Sequence, residues 1–135
     1  MNPLDVVKRF EQAIDDRDTA ALTAAFHPDG TYNGAGAAAS NLKGEEIGVF
    51  FGELFGALPD SRFEVGTIFG AGDMVAVEWV YRGTMTGELW GFPATGGSCA
   101  VRGSHIVRVD DDTIHSVQAF WDNYSLFEQL GIKPE

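Results

Sequence analysis

One ionisable side chain stands on an otherwise apolar strand face: His105, in the segment Val101-Arg102-Gly103-Ser104-His105-Ile106-Val107-Arg108-Val109. Val101, Val107 and Val109 share its face, while Arg102, Ser104 and Arg108 take the other, the pattern of a sheet buried on one side. An unperturbed imidazole titrates near ~6.5, so at this position it could take a proton from carbon or give one to a developing oxyanion at neutral pH. The plain structural alternative is a core histidine hydrogen-bonded to a neighbour. Asp122, at the end of the following strand, is a second candidate acid if it folds inward. Its parity is that of the outer face, and it precedes a short helix that it could cap instead.

Around these two groups, Tyr32, Asn33 and Tyr81 could bring polar tips to a pocket. Phe50, Phe51, Trp79, Trp90 and Trp121 could form flat walls for an aromatic guest, although aromatics on buried faces are ordinarily core. His115 lies beside a turn and is expected at the surface or the rim. His27, before Pro28 at a helix end, is expected to face that helix's C-terminal dipole. The three histidines show no zinc-ligand spacing, and Asp110-Asp111-Asp112 is a single turn without the ligand set calcium needs. The glycine runs near Gly34 and Gly70 lack the strand-to-helix setting of a nucleotide loop. No metal or cofactor is expected. Cys99, free and alone, reads as a small buried hydrophobe.

Helices must precede and support that strand pair. Asn2-Pro3 opens a helix over residues 3–16, with Leu4, Val7, Phe10, Ala13 and Ile14 on one face. Asp18 caps a second, residues 19–26, stopped by His27-Pro28; Asp29-Gly30 turns the chain into a brief strand, Thr31-Tyr32-Asn33. Residues 34–40 are glycine and alanine without a period, a loop. A long helix over 44–58 carries Ile47, Phe50, Phe51, Leu54, Phe55 and Leu58. Strands follow at 62–69 and 74–84, with Val75, Val77, Trp79 and Tyr81 inward, then a glycine-rich connection, 87–97. The pair within 101–121 turns at the three aspartates, placing Val117, Ala119 and Trp121 on the buried face. Ser125-x-x-Glu128 is read as the capping box of a last helix ending at Leu130-Gly131. Helices before four antiparallel strands give an α+β fold, with a curved antiparallel sheet wrapped around the long third helix.

The chain has 135 residues, 44% hydrophobic and 21% charged, enough for one domain, residues 1–135, with a core that needs no disulfides. A net charge of −11 with scattered basic residues offers no footprint for phosphates, so neither nucleic acid nor an acidic membrane is an expected partner. No apolar run is long enough to span a bilayer, and the first residues read as a capped helix rather than a signal peptide. One cysteine fits a reducing, cytoplasmic setting.

Three stretches carry a resemblance: Ala57-Leu58-Pro59-Asp60, then residues 87–96 (Gly-Glu-Leu-Trp-Gly-Phe-Pro-Ala-Thr-Gly), then Phe120-Trp121-Asp122 followed by Gln129-Leu130-Gly131. In this order and spacing they resemble the SnoaL-like polyketide cyclases, within the nuclear transport factor 2-like superfamily that includes ketosteroid isomerase. The resemblance spans nearly the whole chain. It implies a conical α+β barrel whose mouth admits a small, flat, hydrophobic molecule, and cofactor-free ring closure by an aldol step using an aspartate and a nearby histidine. By position the histidine falls on His105, but the aspartate falls on Ala119. The isomerase compares no better: its base falls at Gly34, its tyrosine at Phe10 and its protonated aspartate at His105. Fold alone does not transfer chemistry.

The leading expectation is therefore an enzyme acting on a hydrophobic, polycyclic or polyketide-like carbonyl compound, by aldol cyclisation or isomerisation, with His105 as acid/base. The alternative is a non-catalytic module that binds such a compound unchanged, because Ala119 replaces the usual acid. A third reading, a structural dimer, requires a filled interior. A homodimer through the outer sheet face is expected in every case.

Overall fold

The first helix begins where its orphan N–H groups find a partner: Asn2 Oδ1 accepts from the Asp5 N–H at 2.9 Å, with Pro3 in the first turn. A computed structural model, which describes residues 1–133, runs this helix (α1) over Pro3–Asp15. Asp18 caps α2, Thr19–Ala24, through the Ala21 N–H at 3.0 Å. The helix stops earlier than the sequence suggests, because Phe26–Asn33 form a strand, β1, that contains His27-Pro28 and Asp29-Gly30. A strand tolerates Pro28 here because its pairing is irregular between Phe26 and Thr31, where the missing N–H is not required. His27, expected at the end of a helix, lies in this strand; its ring stacks on His115 at 4.4 Å and its Nδ1 accepts from the Asp29 N–H.

Residues 34–40 are more ordered than their composition implies. A short 3-10 turn at Ala37–Ala39 buries Ala39, and β2, Leu42–Lys43, pairs with β1. Then come α3 (Glu45–Ala57), β3 (Arg62–Ala71), β4 (Met74–Thr84), β5 (Ser98–Asp110), β6 (Thr113–Trp121) and α4 (Asn123–Leu130). The β5–β6 turn places Asp111 and Asp112 at φ 49° and 62°, the mirror-image turn that suits a two-residue hairpin. α4 is capped by Asp122, whose Oδ1 accepts from the Ser125 N–H at 3.0 Å, so Ser125 is inside the helix rather than its cap.

The α+β class and curved sheet of the sequence reading stand. The sheet is six-stranded and unclosed, ordered β2-β1-β6-β5-β4-β3, and mixed, because β1 runs parallel to β6. α1 lies closest to the sheet, on β3, β4 and β5, while α3 packs on α2 and β2. The large rings of Phe50, Phe51 and Phe55 project from α3 into the core. Phe10 and Ile14 of α1 are buried against it, each contributing about 1.5–3 kcal/mol by leaving water. The opposite sheet face leaves Phe69, Ile106 and Phe120 exposed. No helix among the described residues is long and apolar enough to cross a membrane.

Gly103 fixes one wall of this core. It pairs with Trp79 across β4–β5, and a Cβ there would lie 2.2 Å from the indole Cζ2 and 2.6 Å from the Phe120 carbonyl oxygen. Gly103→Ala should therefore lower stability by about 1–3 kcal/mol in urea unfolding. Trp79→Phe in the same chain should recover part of that loss, and strict additivity of the two changes would show that the indole is not what Gly103 accommodates.

Candidate active site

α1 places Val7, Glu11 and Ile14 on one stripe, three or four residues apart, and all three are buried. A carboxylate buried among apolar residues must find a partner. Glu11 finds it on β5: its Oε1 lies 2.8 Å from His105 Nδ1, with both side chains 2% exposed. With Glu11 ionised, Nδ1–H donates to it, which fixes the tautomer and leaves Nε2 to act. Glu11 Oε2 has no partner among the described residues. The neighbour to which the buried histidine is hydrogen-bonded is a buried carboxylate.

Beyond the pair is an apolar cavity of about 50 Å³, so the interior is not completely filled. His105, Tyr32, Phe50, Phe51, Trp79, Tyr81, Trp90 and Trp121 line it, together with Ile14 and Phe63. His105 sits among rings, 5.8 Å from Phe63, 5.4 Å from Trp79 and 6.2 Å from Tyr32 between centroids. The connection between β4 and β5 folds back so that Trp90 stacks on Phe50 at 5.8 Å, closing one side. Trp90 takes a positive φ of 47°, unusual for a bulky residue.

Three expected site residues lie outside this lining. Asp122 is exposed and occupied as the α4 cap, as its outward parity implies. Asn33 uses its Oδ1 to accept from the Asn41 N–H at 2.9 Å, and so holds the 34–40 segment. Ala119 is buried directly opposite His105 in the β5–β6 register, but has no polar group to offer it. Gly34 is pressed against Trp121, where a Cβ would come within 2.6 Å of the indole, so that ring occupies the space an acidic side chain would need. Glu11 is the residue the sequence reading missed. Its signal was a charge on the apolar stripe of the first helix, at four residues from Val7 and three from Ile14.

Comparison with known proteins shows the family and the fold. A family model described as SnoaL-like polyketide cyclase matches residues 4–130. The chain belongs to the SnoaL-like polyketide cyclase family. No curated protein sequence matches it. Among solved structures, IdmH of Streptomyces antibioticus, a proposed polyketide cyclase, is 26% identical with a TM-score of 0.83, over 98% of this chain and 100% of that one. A proposed SnoaL-like polyketide cyclase of Jannaschia sp. CCS1 is 18% identical with a TM-score of 0.85, over 98% and 93%. An LEH-like epoxide hydrolase of M. tuberculosis is 19% identical with a TM-score of 0.73, over 95% and 88%. In this SnoaL-like chain the stretches that carried the resemblance are structural joins. Asp60 accepts from the Thr84 N–H at 2.8 Å, a bond that holds its carboxyl below the usual range, and the Thr86 and Gly87 N–H groups donate to the Ala57 carbonyl.

Burial shifts three groups of this SnoaL-like chain, the phenols of Tyr32 and Tyr81 on the cavity wall and the Cys99 thiol outside it. It raises the Tyr32 phenol, helped by the Glu11 charge, and the Tyr81 phenol, both well above 10.0; it also raises the Cys99 thiol from 9.0 to about 11. These three groups stay protonated at neutral pH. The folded chain keeps these protons to higher pH than the unfolded chain does, so unfolding in alkali releases protons. Stability should hold up to about pH 9 and then fall, first through Cys99 and above pH 10 through the tyrosines, by at most ~1.4 kcal/mol per pH unit for each group. Urea midpoints between pH 7 and 11 test this, and a midpoint unchanged through pH 11 would contradict it.

Proposed function

We propose that this SnoaL-like protein binds a small, flat, hydrophobic carbonyl compound and moves a proton at the carbon next to the carbonyl, with His105 as acid/base positioned by Glu11. The observation that carries this reading is the 2.8 Å Nδ1–Oε1 contact, buried on the wall of an apolar cavity. His105 Nε2 takes the α-proton, and the C–H electron pair becomes an enolate. In an aldol cyclisation the enolate carbon attacks a second carbonyl of the same molecule, forming the C–C bond. The resulting alkoxide then takes the proton back from Nε2–H. In an isomerisation the proton returns to a different carbon. Neither sequence needs an oxidant or reductant. The imidazolium that exists between the two transfers is stabilised by the adjacent carboxylate, whose field is strong where water is excluded.

The interior supports a guest only if its aromatic walls part. About 50 Å³ is a third of the ~150 Å³ that accommodates a benzene ring in an engineered cavity. Trp90, on a glycine-rich connection and stacked on Phe50, is the wall with the least regular backbone behind it.

2-Tetralone, a flat bicyclic ketone with acidic α-protons, is a suitable probe. In D2O the protein should accelerate deuterium incorporation at its α-carbons, measured by mass spectrometry. His105→Phe, which keeps a ring in place, should lower that rate by about 10²–10⁴-fold. Equal rates in the two proteins would exclude His105 as the base. Binding without exchange would leave the non-catalytic module.

A further inference from the structure

We propose that Trp79 is a second catalytic residue, its Nε1–H donating to the guest's carbonyl oxygen and holding the negative charge that develops there while His105 takes the α-proton. The inference rests on the proton-transfer reading of the same cavity and assigns the group that reading lacks. Charge that leaves carbon in an enolate accumulates on oxygen, and a fixed donor aimed at that oxygen is worth most in a site closed to water.

Trp79 is 6% exposed and lines the cavity, and its Nε1 is buried with no hydrogen-bond partner among the described residues. Buried indole N–H groups ordinarily find an acceptor, and leaving one unmade is costly. Trp121 of the same wall shows the ordinary case, donating to Asn123 Oδ1 at 3.1 Å. A tryptophan is not needed merely to fill the position, because the neighbouring wall is built from Phe50, Phe51 and Phe63. An indole N–H can only donate, so its missing partner is an acceptor.

Position separates Trp79 from the other candidates. It is two residues along β4 from Val77, the residue paired with His105, and its ring centroid is 5.4 Å from the imidazole. Trp90 Nε1 is also unpartnered, but it belongs to the connection, where its ring stacks on Phe50 and packs tilted against Phe127 at one side. The Tyr81 hydroxyl is unpartnered too, but it lies two residues further along β4, towards Ser61 and Cys99 and away from the pairing of Val77 with His105. Gly103 leaves the space in which the Trp79 indole lies across β5, so the donor is held by backbone on one side and Phe63 at 5.1 Å on the other.

The test compares 2-naphthol, a planar bicycle with an oxygen like that of the 2-tetralone enol, with naphthalene, which has the same rings and no oxygen. In the 15N-labelled full chain the three indole N–H resonances are assigned with Trp90→Phe and Trp121→Phe. Addition of 2-naphthol should move the Trp79 proton downfield and leave Trp121 in place, and naphthalene should not reproduce the downfield move. Trp79→Phe should weaken 2-naphthol binding by about tenfold more than it weakens naphthalene binding. If both guests bind but move the Trp79 resonance alike, or lose affinity alike in Trp79→Phe, the donor role is wrong while the guest cavity stands. If the wild-type chain binds neither, the cavity reading itself fails and the role of Trp79 falls with it. The resonance measurement on the wild-type chain decides the matter even if Trp79→Phe does not fold.

Discussion

A carboxylate and an imidazole buried side by side tie the first helix to a central strand of the sheet, and this contact constrains everything around it. Glu11 and His105 are 94 residues apart and meet because α1 lies directly on the face of β5. Taking such groups out of water costs several kcal/mol per ion unless each is partnered, and apolar residues of similar size would often serve stability as well or better. The surroundings offer little compensation. The imidazole is ringed by Phe63, Trp79, Tyr32 and Phe10, and one oxygen of Glu11 has no partner among the described residues. A pair kept under these conditions calls for a reason beyond packing, and the cavity on which it borders supplies one.

The pair also gives the departures from the family pattern a physical sense. Ala119, opposite His105, cannot supply an acid, and Trp121 fills the space beside Gly34 where another could have stood. The polar partner of the histidine comes instead from the opposite layer, on a helix. Glu11 approaches His105 through Nδ1, so the carboxylate and Nε2 lie on different sides of the ring. The same arrangement keeps the phenols of Tyr32 and Tyr81 neutral, since burial and, for Tyr32, the Glu11 charge oppose their ionisation.

What the sequence made legible was local. Alternation over Val75–Tyr81 and Val101–Val109 placed His105, Trp79 and Tyr81 on the buried face, because side-chain direction in a strand follows parity. The helical spacing of Phe50 and Phe51 did the same for α3. Long-range pairing was not legible. β1 runs parallel to β6 through a segment containing His27-Pro28, whose local signal is a stop rather than a strand. Asp122 showed both its possible roles, and its outward parity was the better guide than its place in the chain. Glu11 was visible only as an interruption of an apolar stripe, and nothing near it in sequence named a partner on a strand so far away.

The central claim is that Glu11 and His105 are held together for proton transfer rather than for stability. Equilibrium urea unfolding of the double variant Glu11→Leu with His105→Phe tests it most directly. If the account is right, the double variant unfolds cooperatively with a stability within about 1.5 kcal/mol of the original chain, or above it. A loss of about 3 kcal/mol or more in the double variant would show that the pair is a structural element of the core, and would contradict the account.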